Sequence, residues 1–532
     1  MKERVWRPRG VVHGALALIS IALLAGCGPS SSLDCANGGI ECGDGCVDTR
    51  TDPLNCGGCG ITCNTALGET CVNGGCDNGI EPCTAGTTEA CYNGPTGTEN
   101  VGPCQGGTRT CRDDGMGFGP CVGEVTPVGE DCTNGIDDDC NGMVDDAVDA
   151  DGDGWTTCDG DCCDSPSDGC ASPELVNPGA FEVPGNTLDD DCDGIVDNAV
   201  AADCDSGLPS NSADAMQYAM AMDLCQTTTE AGTAWGVISA RFTLASGSGT
   251  PNANQRSIRP GFGTGVSPQR GSSLAVLSTG RAAASGDTNP SFAAFQGGQD
   301  LASTSQVPMD WLAANGNNFP NAPGCPDPAG GTVANDPIML ELRIRVPSNA
   351  RSFSLASNFY SSEYPEWVCS AYNDFFLVLL DSAFAGTPAN PPDKNLAIYT
   401  APNMSRYPVG VNLAFGNTGL FNQCLNGPTG CGTGAIAGTT SACQATTMLA
   451  GTGFDIANPP SQFPDDPGWC GSSNLAGGAT GWLVTSGNVV GGEIITLRLA
   501  VWDTGDPWYD SVVLLDNFQW SVEASEPGTV ID

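Results

Sequence analysis

Between Glu130 and Asp205 the chain carries 23 Asp or Glu in 76 residues, and neither Lys nor Arg. One phrase occurs twice, as Asp137-Asp-Asp-Cys-Asn-Gly-Met-Val-Asp145 and, 52 residues later, as Asp189-Asp-Asp-Cys-Asp-Gly-Ile-Val-Asp197. Between the copies lies Asp149-Ala-Asp-Gly-Asp-Gly-Trp155. Carboxylates this dense repel one another unless a cation sits among them. Acids at alternate positions ahead of a Gly fold successive side chains onto one centre, the arrangement that calcium, with six to eight hard oxygens, requires. Asp149, Asp151 and Asp153 supply the first side chains of such a loop, Gly154 its sharp turn, and Trp155 a backbone carbonyl. Gly160 stands where an EF-hand would need its closing Glu, so closure falls to Asp159, Asp161 or Asp164.

The repeated phrase offers Asp137, Asp139, Asn141 and Asp145, then Asp189, Asp191, Asp193 and Asp197, with Cys140 and Cys192 placed to pin each loop by a disulfide. The plain alternative is a solvated acidic surface, and recurrence of the pattern at fixed spacing weighs against it. The expected cation is calcium, acting as a structural staple at an affinity on the order of 0.1–1 mM.

These loops need an exported, oxidising setting, and the N-terminus supplies one. Arg4, Arg7 and Arg9 precede an apolar run from Val11 to Ala25, too short to span as a mature helix. Leu24-Ala-Gly-Cys27 resembles the lipobox of bacterial lipoproteins. The resemblance implies cleavage after residue 26, a diacylglyceryl group on Cys27 and, with Gly28 following, the outer membrane or cell surface. No other run of 18 apolar residues exists, so lipid would be the membrane anchor. Removing residues 1–26 takes a net three positive charges from the formal −44, leaving −47. That charge argues against nucleic acid as a partner. It also takes His13, the one histidine, and with it Ser-His-Asp or Cys-His catalysis and imidazole metal ligation.

With Cys27 lipidated, 28 of the 29 cysteines remain for pairing. Twenty-one lie between Cys35 and Cys204 and seven from Cys225 onward, so full pairing needs a bridge across that boundary, with Cys204–Cys225 the nearest candidate. After a tether at 27–34 come two small cysteine-rich modules, 35–78 and 79–129, with too few large apolar residues for a core, so that disulfides must replace one. Cys56-Gly-Gly-Cys59 has redox or zinc spacing, but ample partner cysteines favour structural bridges. Gly107–Cys111 and Phe118–Cys121 suggest a small hairpin closed by bridges. The acidic loops occupy 130–205.

From 206 to 525 large apolar and aromatic residues appear. Ser212 to Cys225 predicts a helix capped by Ser212. Ile338, Leu340, Leu342, Ile344 and Val346 alternate with Met339, Glu341, Arg343 and Arg345, the period of a strand. Further strands are predicted at 235–244, 274–278, 353–360, 374–381, 481–485, 494–502 and 511–522. The fold class is mainly β, a C-terminal antiparallel β-sandwich of jelly-roll type behind small disulfide-rich modules and acidic loops. Cys369, Cys424, Cys431, Cys443 and Cys470 are expected to staple the Gly-rich stretch between Pro402 and Gly471.

Three further resemblances rest on these residues. Asp52-Pro-Leu-Asn-Cys-Gly-Gly-Cys59 resembles the stigma-specific cysteine-rich repeat, which implies no activity. The acidic segment resembles the metal-binding repeats of MopE-type bacterial surface proteins and, more loosely, thrombospondin type 3 repeats. One MopE branch is associated with copper, for which a mature chain lacking His offers no imidazole. The runs Val346–Arg351, Asn358–Glu366, Ala371–Phe376, Trp502–Asp506 and Asp510–Asn517 resemble the choice-of-anchor L family of secreted bacterial domains. That resemblance implies architecture and surface attachment rather than a mechanism.

Those runs bring acids and aromatics together: Glu363, Glu366, Asp374, Asp503, Asp506, Asp516 and Asn517 form the candidate ligand or structural-metal site of the sandwich, with Tyr364, Trp367, Trp508 and Asp510 near in sequence. The expected function is adhesion or binding of an extracellular ligand, a glycan for instance, without catalysis. The alternatives are a structural envelope protein and a carbohydrate-active hydrolase working through paired carboxylates.

Overall fold

The computed structural model describes residues 40–42, 45–48, 50–63, 70–73, 75–77, 82–198, 204–295, 299–329, 331–416, 418–431, 443–457, 470 and 475–532. The expected signal segment 1–26, Cys27 and the tether 27–34 lie outside the described residues. The chain falls into two units, Met1–Val128 with Asp137–Met143, and Gly129–Ile136 with Val144–Asp532. Among the described residues no helix is long and apolar enough to cross a membrane.

In the first unit, short antiparallel hairpins are tied by sulfur. Ile40–Cys42 pairs with Gly45–Val47, Thr70–Val72 with Gly75–Asp77, and Thr88–Cys91 with Gly107–Thr110. The bridges are Cys56–Cys71, Cys63–Cys76, Cys83–Cys111, Cys91–Cys121 and Cys104–Cys140. Buried Cys56, Cys63 and Cys71 take the place of an apolar core. Cys59 is also disulfide-bonded, so Cys56-Gly-Gly-Cys59 is structural rather than a free dithiol. The expected hairpin is present, but strand Gly107–Thr110 pairs with Thr88–Cys91 as well as bridging to Val122 through Thr108.

In the second unit the predicted sandwich is formed by two antiparallel sheets. Val333–Arg345 lies between Ile494–Asp503 on one side and both Gly236–Thr243 and Thr304–Gln306 on the other, and Phe375–Asp381 pairs with the far edge of Ile494–Asp503. The second sheet runs Gly528–Ile531, Leu483–Asn488, Ser352–Ser361, Ser511–Ser521, Leu274–Ser278, Arg256–Arg259, with Gly478–Ala479 also on Ser352–Ser361. From Val333 onward the long strands alternate between sheets, as in a jelly roll. Ile338, Leu340, Leu342 and Ile344 point inward against Phe353, Leu355, Val513 and Leu515 from the facing sheet. The outer faces are covered too. Trp311 and Phe319 pack on Met339, Phe375, Leu377 and Trp502, while Phe262, Phe295 and Phe454 pack on Tyr360, Val512 and Leu514. Two covered faces explain why Phe375–Leu380 reads as an unbroken apolar run rather than an alternation.

The helix differs from expectation. Only Met216–Met220 is helical, and it begins after Ala215 rather than Ser212. Ser212 Oγ accepts the Asp214 N–H instead, and Asp223 adopts a left-handed φ of 69°, which stops the helix. The Cys204–Cys225 bridge, expected as the link between acidic segment and sandwich, is present. Cys424–Cys443 and Cys431–Cys470 staple the Gly-rich stretch as expected, but Cys369 pairs with Cys325 outside it. A second short helix, Met309–Ala314, carries Trp311 and Leu312 onto the outer face of the first sheet.

Candidate metal centre

The loop at 149–155 is built by its own acids. Asp149 accepts the N–H of Gly152 at 2.6 Å and of Gly154 at 3.0 Å, Asp151 that of Asp153 at 3.0 Å, and Asp153 that of Trp155 at 2.8 Å. Each acid thus turns the backbone two to five residues on, and the left-handed φ of Gly152 (84°) and Gly154 (93°) permits the turns. Two groups of carboxylate oxygens gather within 4.8 Å: Asp149, Asp151 and Asp164, and Asp151, Asp153 and Asp161. Of the three acids considered for closure, Asp161 and Asp164 take part. Asp159 instead accepts from the Thr156 hydroxyl, and Thr156 caps a turn of 3-10 helix by accepting the Asp159 N–H.

Asp161 and Asp164 are buried, and Asp151 Oδ2 and Asp161 Oδ2 are enclosed without any hydrogen-bond partner. Burial, and after it the charge of Asp151, pushes Asp153 up to about 6. Burial foremost, with neighbouring acids, also raises Asp151 and Asp161.

The second copy repeats the pattern. Asp189 accepts from Asp193 N at 3.1 Å and Gly194 N at 2.8 Å, Asp193 from Ile195 N at 2.8 Å, and Asp197 from Gly185 N at 2.7 Å. Here the gathered oxygens are those of Asp189, Asp191 and Glu182. Glu182 Oε1 accepts the N–H of Asp190 and Asp191, while its buried Oε2 has no partner. Asp193 and Asp197 shape the loop without joining that group. Glu182 escaped the sequence reading. The signal was available: Glu182 stands seven residues before Asp189 as Glu130 stands seven before Asp137.

In the first copy, within its own unit, Asp137 accepts from Asn141 N and Gly142 N, Asp139 from Asn141 N, and Asn141 Oδ1 from Met143 N. Asp145 belongs to the other unit, where it accepts the Gly135 N–H at 3.0 Å. Cys140 and Cys192 both adopt positive φ and are bridged, to Cys104 and Cys162, so a disulfide pins each loop at the same place.

The 149–198 segment is bonded to the sandwich. Asn177 donates to Asp153 Oδ2 at 2.6 Å, and its own Oδ1 accepts from Ser348 Oγ at 2.6 Å. Asn349, fully buried, accepts the Phe181 N–H at 3.0 Å and donates to its carbonyl at 2.9 Å. A cleft of about 780 Å3 runs along this contact, with Asp151, Asp153 and Glu174 on one wall and Arg345, Ser348 and Arg351 on the other.

The candidate acids of the sandwich divide. Glu363, Asp374 and Asp503 are buried at one end, with Asp506 beside them, and burial followed by the Asp374 charge raises Glu363 well above the usual carboxylate range. Burial likewise pushes Asp374 up to about 7. Glu363 and Asp506, with Trp367, Tyr372, Trp508 and Tyr509, line a pocket of about 220 Å3. Asp516 lies elsewhere, accepting the N–H of Gln269 at 2.5 Å and of Asn517 at 2.7 Å and repelled by Asp223. Glu366 is buried and does not line the pocket.

Residues 124–146 and 172–198 match the family model described as Cu-binding MopE, putative metal-binding motif. Neither the curated proteins nor the solved structures contain a match to the chain. The two matched segments include Asp137–Asp145 and Glu182–Asp197, the acids that build the two repeat loops, and the chain therefore carries two copies of a metal-binding motif. The orphaned oxygens Asp151 Oδ2, Asp161 Oδ2 and Glu182 Oε2 fit a hard cation. Copper does not fit. The donors are oxygens, the cysteines beside the loops are in disulfides, and the one His lies outside the described residues.

Proposed function

We propose that this is a calcium-binding surface protein, exported and held to the outer membrane or cell surface by lipid on Cys27, whose sandwich binds an extracellular ligand without catalysis. The observation that supports the calcium reading is the gathering of Asp149, Asp151, Asp153, Asp161 and Asp164 around buried oxygens that nothing else satisfies. Oxygen donors alone, in loops that turn on Gly, favour calcium over softer metals. At extracellular calcium the loops act as permanent staples, and the Asn177 and Asn349 bonds pass their order to the sandwich.

The pocket of Trp367, Tyr372, Trp508 and Tyr509 supports a ligand of glycan class, since aromatic faces stack on sugar rings while Glu363 and Asp506 accept hydroxyl hydrogens. The order of its motifs supports a sandwich of choice-of-anchor L type. Glycan arrays probed with the calcium-loaded chain and with Trp508→Ala test the ligand reading: binding lost in the variant is expected, and a blank array with wild type rejects it. Two carboxylates in one pocket also admit a hydrolase. Polysaccharide cleavage abolished by Glu363→Gln would replace the binding reading with that one.

A further inference from the structure

At one end of the sandwich, two fully buried carboxylates have no bonded oxygen. Asp503 ends strand Ile494–Asp503 of the five-stranded sheet, and Asp510 directly precedes strand Ser511–Ser521 of the seven-stranded sheet. Both are 0% exposed. All four of their oxygens, and the buried hydroxyl of Thr504 next to Asp503 in sequence, lack a hydrogen-bond partner. Asp374, 1% exposed, joins them. It directly precedes Phe375–Asp381, where Phe375 faces Trp502, so the register carries it beside Asp503. Asp374 Oδ1 accepts from Thr504 N at 3.1 Å and Oδ2 from Ser511 Oγ at 2.6 Å, which ties it to both sheets.

No positive side chain answers these acids: none of the ion pairs among the described residues includes Asp374, Asp503 or Asp510. The charges that act on Asp503 are those of Asp374, Asp510 and Asp336, and on Asp510 those of Asp374 and Asp336. The Thr279 hydroxyl lies beside Asp503 but accepts the Ser511 N–H at 2.9 Å and stands outside hydrogen-bond geometry to the carboxylate.

We propose that Asp503 and Asp510, with Asp374 and the Thr504 hydroxyl, hold a buried divalent cation, calcium by its donor type, which clamps the two sheets together. An unpaired buried carboxylate is costly, and two of them near a third buried acid are more so, unless a cation or protons neutralise them. A proton shared between Asp374 and Asp503 would satisfy one pair of oxygens and leave Asp510 bare. Only oxygens are offered, as calcium prefers. Among the described residues, the carboxylate groups with oxygens drawn within 4.8 Å of one another all lie elsewhere, so the sphere here needs the Thr504 hydroxyl and backbone carbonyls as well as the acids. A Cβ on Gly280 would overlap Asp510 Oδ2, so glycine there is what lets the carboxylate enter. The connection 504–510 also carries Asp506, Trp508 and Tyr509, half of the pocket lining, so the ion fixes the pocket wall.

The test is the calcium content of the full mature chain, loaded with calcium and freed of excess by gel filtration, against Asp503→Asn/Asp510→Asn. The variant is expected to carry one ion per chain fewer than wild type, and chelation should lower its unfolding midpoint less. Equal ion content with an equal chelation response would overturn the site and leave shared protons as the account of the cluster. Should the double variant fail to fold, an anomalous difference map from wild-type crystals grown in calcium decides. A peak between Asp503 and Asp510 supports the site, and its absence overturns it.

Discussion

Asp151→Asn separates a metal ligand from a structural acid by the sign of its effect. Asp151 belongs to both oxygen groups of the central loop, and its Oδ2 is enclosed without a partner. At a dissociation constant of about 0.1 mM and about 2 mM calcium, binding stabilises the loop by about 1.8 kcal/mol, or some twentyfold in its opening equilibrium. Asparagine keeps one oxygen but removes a unit charge worth about 8 kcal/mol against a divalent ion at ~4 Å and an effective dielectric near 20, before desolvation and screening are counted. Asp151 is half-buried, and desolvation together with solvent screening reduces this to about 2 kcal/mol, a roughly thirtyfold weaker site that retains about 0.3 kcal/mol of calcium stabilisation.

Without calcium the sign reverses. Burial and the charges of Asp149, Asp164 and Glu174 make the Asp151 carboxylate a cost, so the variant should equal or exceed wild type in chelator. Backbone amide exchange at Gly152, Gly154 and Trp155, whose N–H groups bond the loop acids, reads the local opening directly. Calcium should protect these amides about twentyfold in wild type and less than twofold in the variant. Protection that responds equally to calcium in both proteins, or in neither, would refute the assignment.

Glu182→Gln should remove calcium protection from the amides of 189–195 while leaving 149–155 responsive, as measured in the same exchange experiment. Asn349→Ala leaves the N–H and carbonyl of Phe181 without their partners, a loss of about 2–4 kcal/mol. Exchange at 177–190 should quicken while strand Val333–Arg345 keeps its protection, and a uniform change across both would contradict a docking contact. Burial, with repulsion from Asp223 behind it, raises Asp516 to about 7 from an ordinary 3.8. The folded state therefore holds a proton that the unfolded chain releases, and stability falls as pH rises from about 4 to 7. Urea unfolding of the chelated chain should show Asp516→Asn gaining on wild type by on the order of 2 kcal/mol at pH 8 and far less at pH 4. An equal difference at both would show that the carboxyl does not titrate in that window.

Much of this protein was legible locally. The acidic loops could be read because most bonds that shape them span two to five residues, as from Asp153 N to Asp151 or Gly194 N to Asp189. Strand Val333–Arg345 could be read because its inward face repeats every second residue. The helix expected from Ser212 shrank to Met216–Met220 because so short a segment holds its shape by what it packs against, here Tyr218 and Ala219 in the core.

What closes each site lay beyond local reach. Asp161 and Asp164 were preferred over Asp159 when bridges Cys132–Cys158 and Cys162–Cys192 set the path of the chain, and Glu182 reached Asp189 only through the fold of the intervening turn. Asn177 and Asn349, which bond the loops to the sandwich, carry no pattern of their own, since their partners Ser348 and Phe181 are about 170 residues away in sequence. Asp374 and Ser511, 137 residues apart, meet because Phe375–Asp381 and Ser511–Ser521 begin at the same end of the sandwich. By itself the sequence determined the kind of donor, carboxylate oxygens in cysteine-pinned loops that could hold a cation, because spacing and side-chain type act within a turn. Which oxygens share a centre, and which acids are buried without a partner, was decided by the pairing of strands and disulfides distant in the chain, since only burial makes a carboxylate's lack of a partner costly.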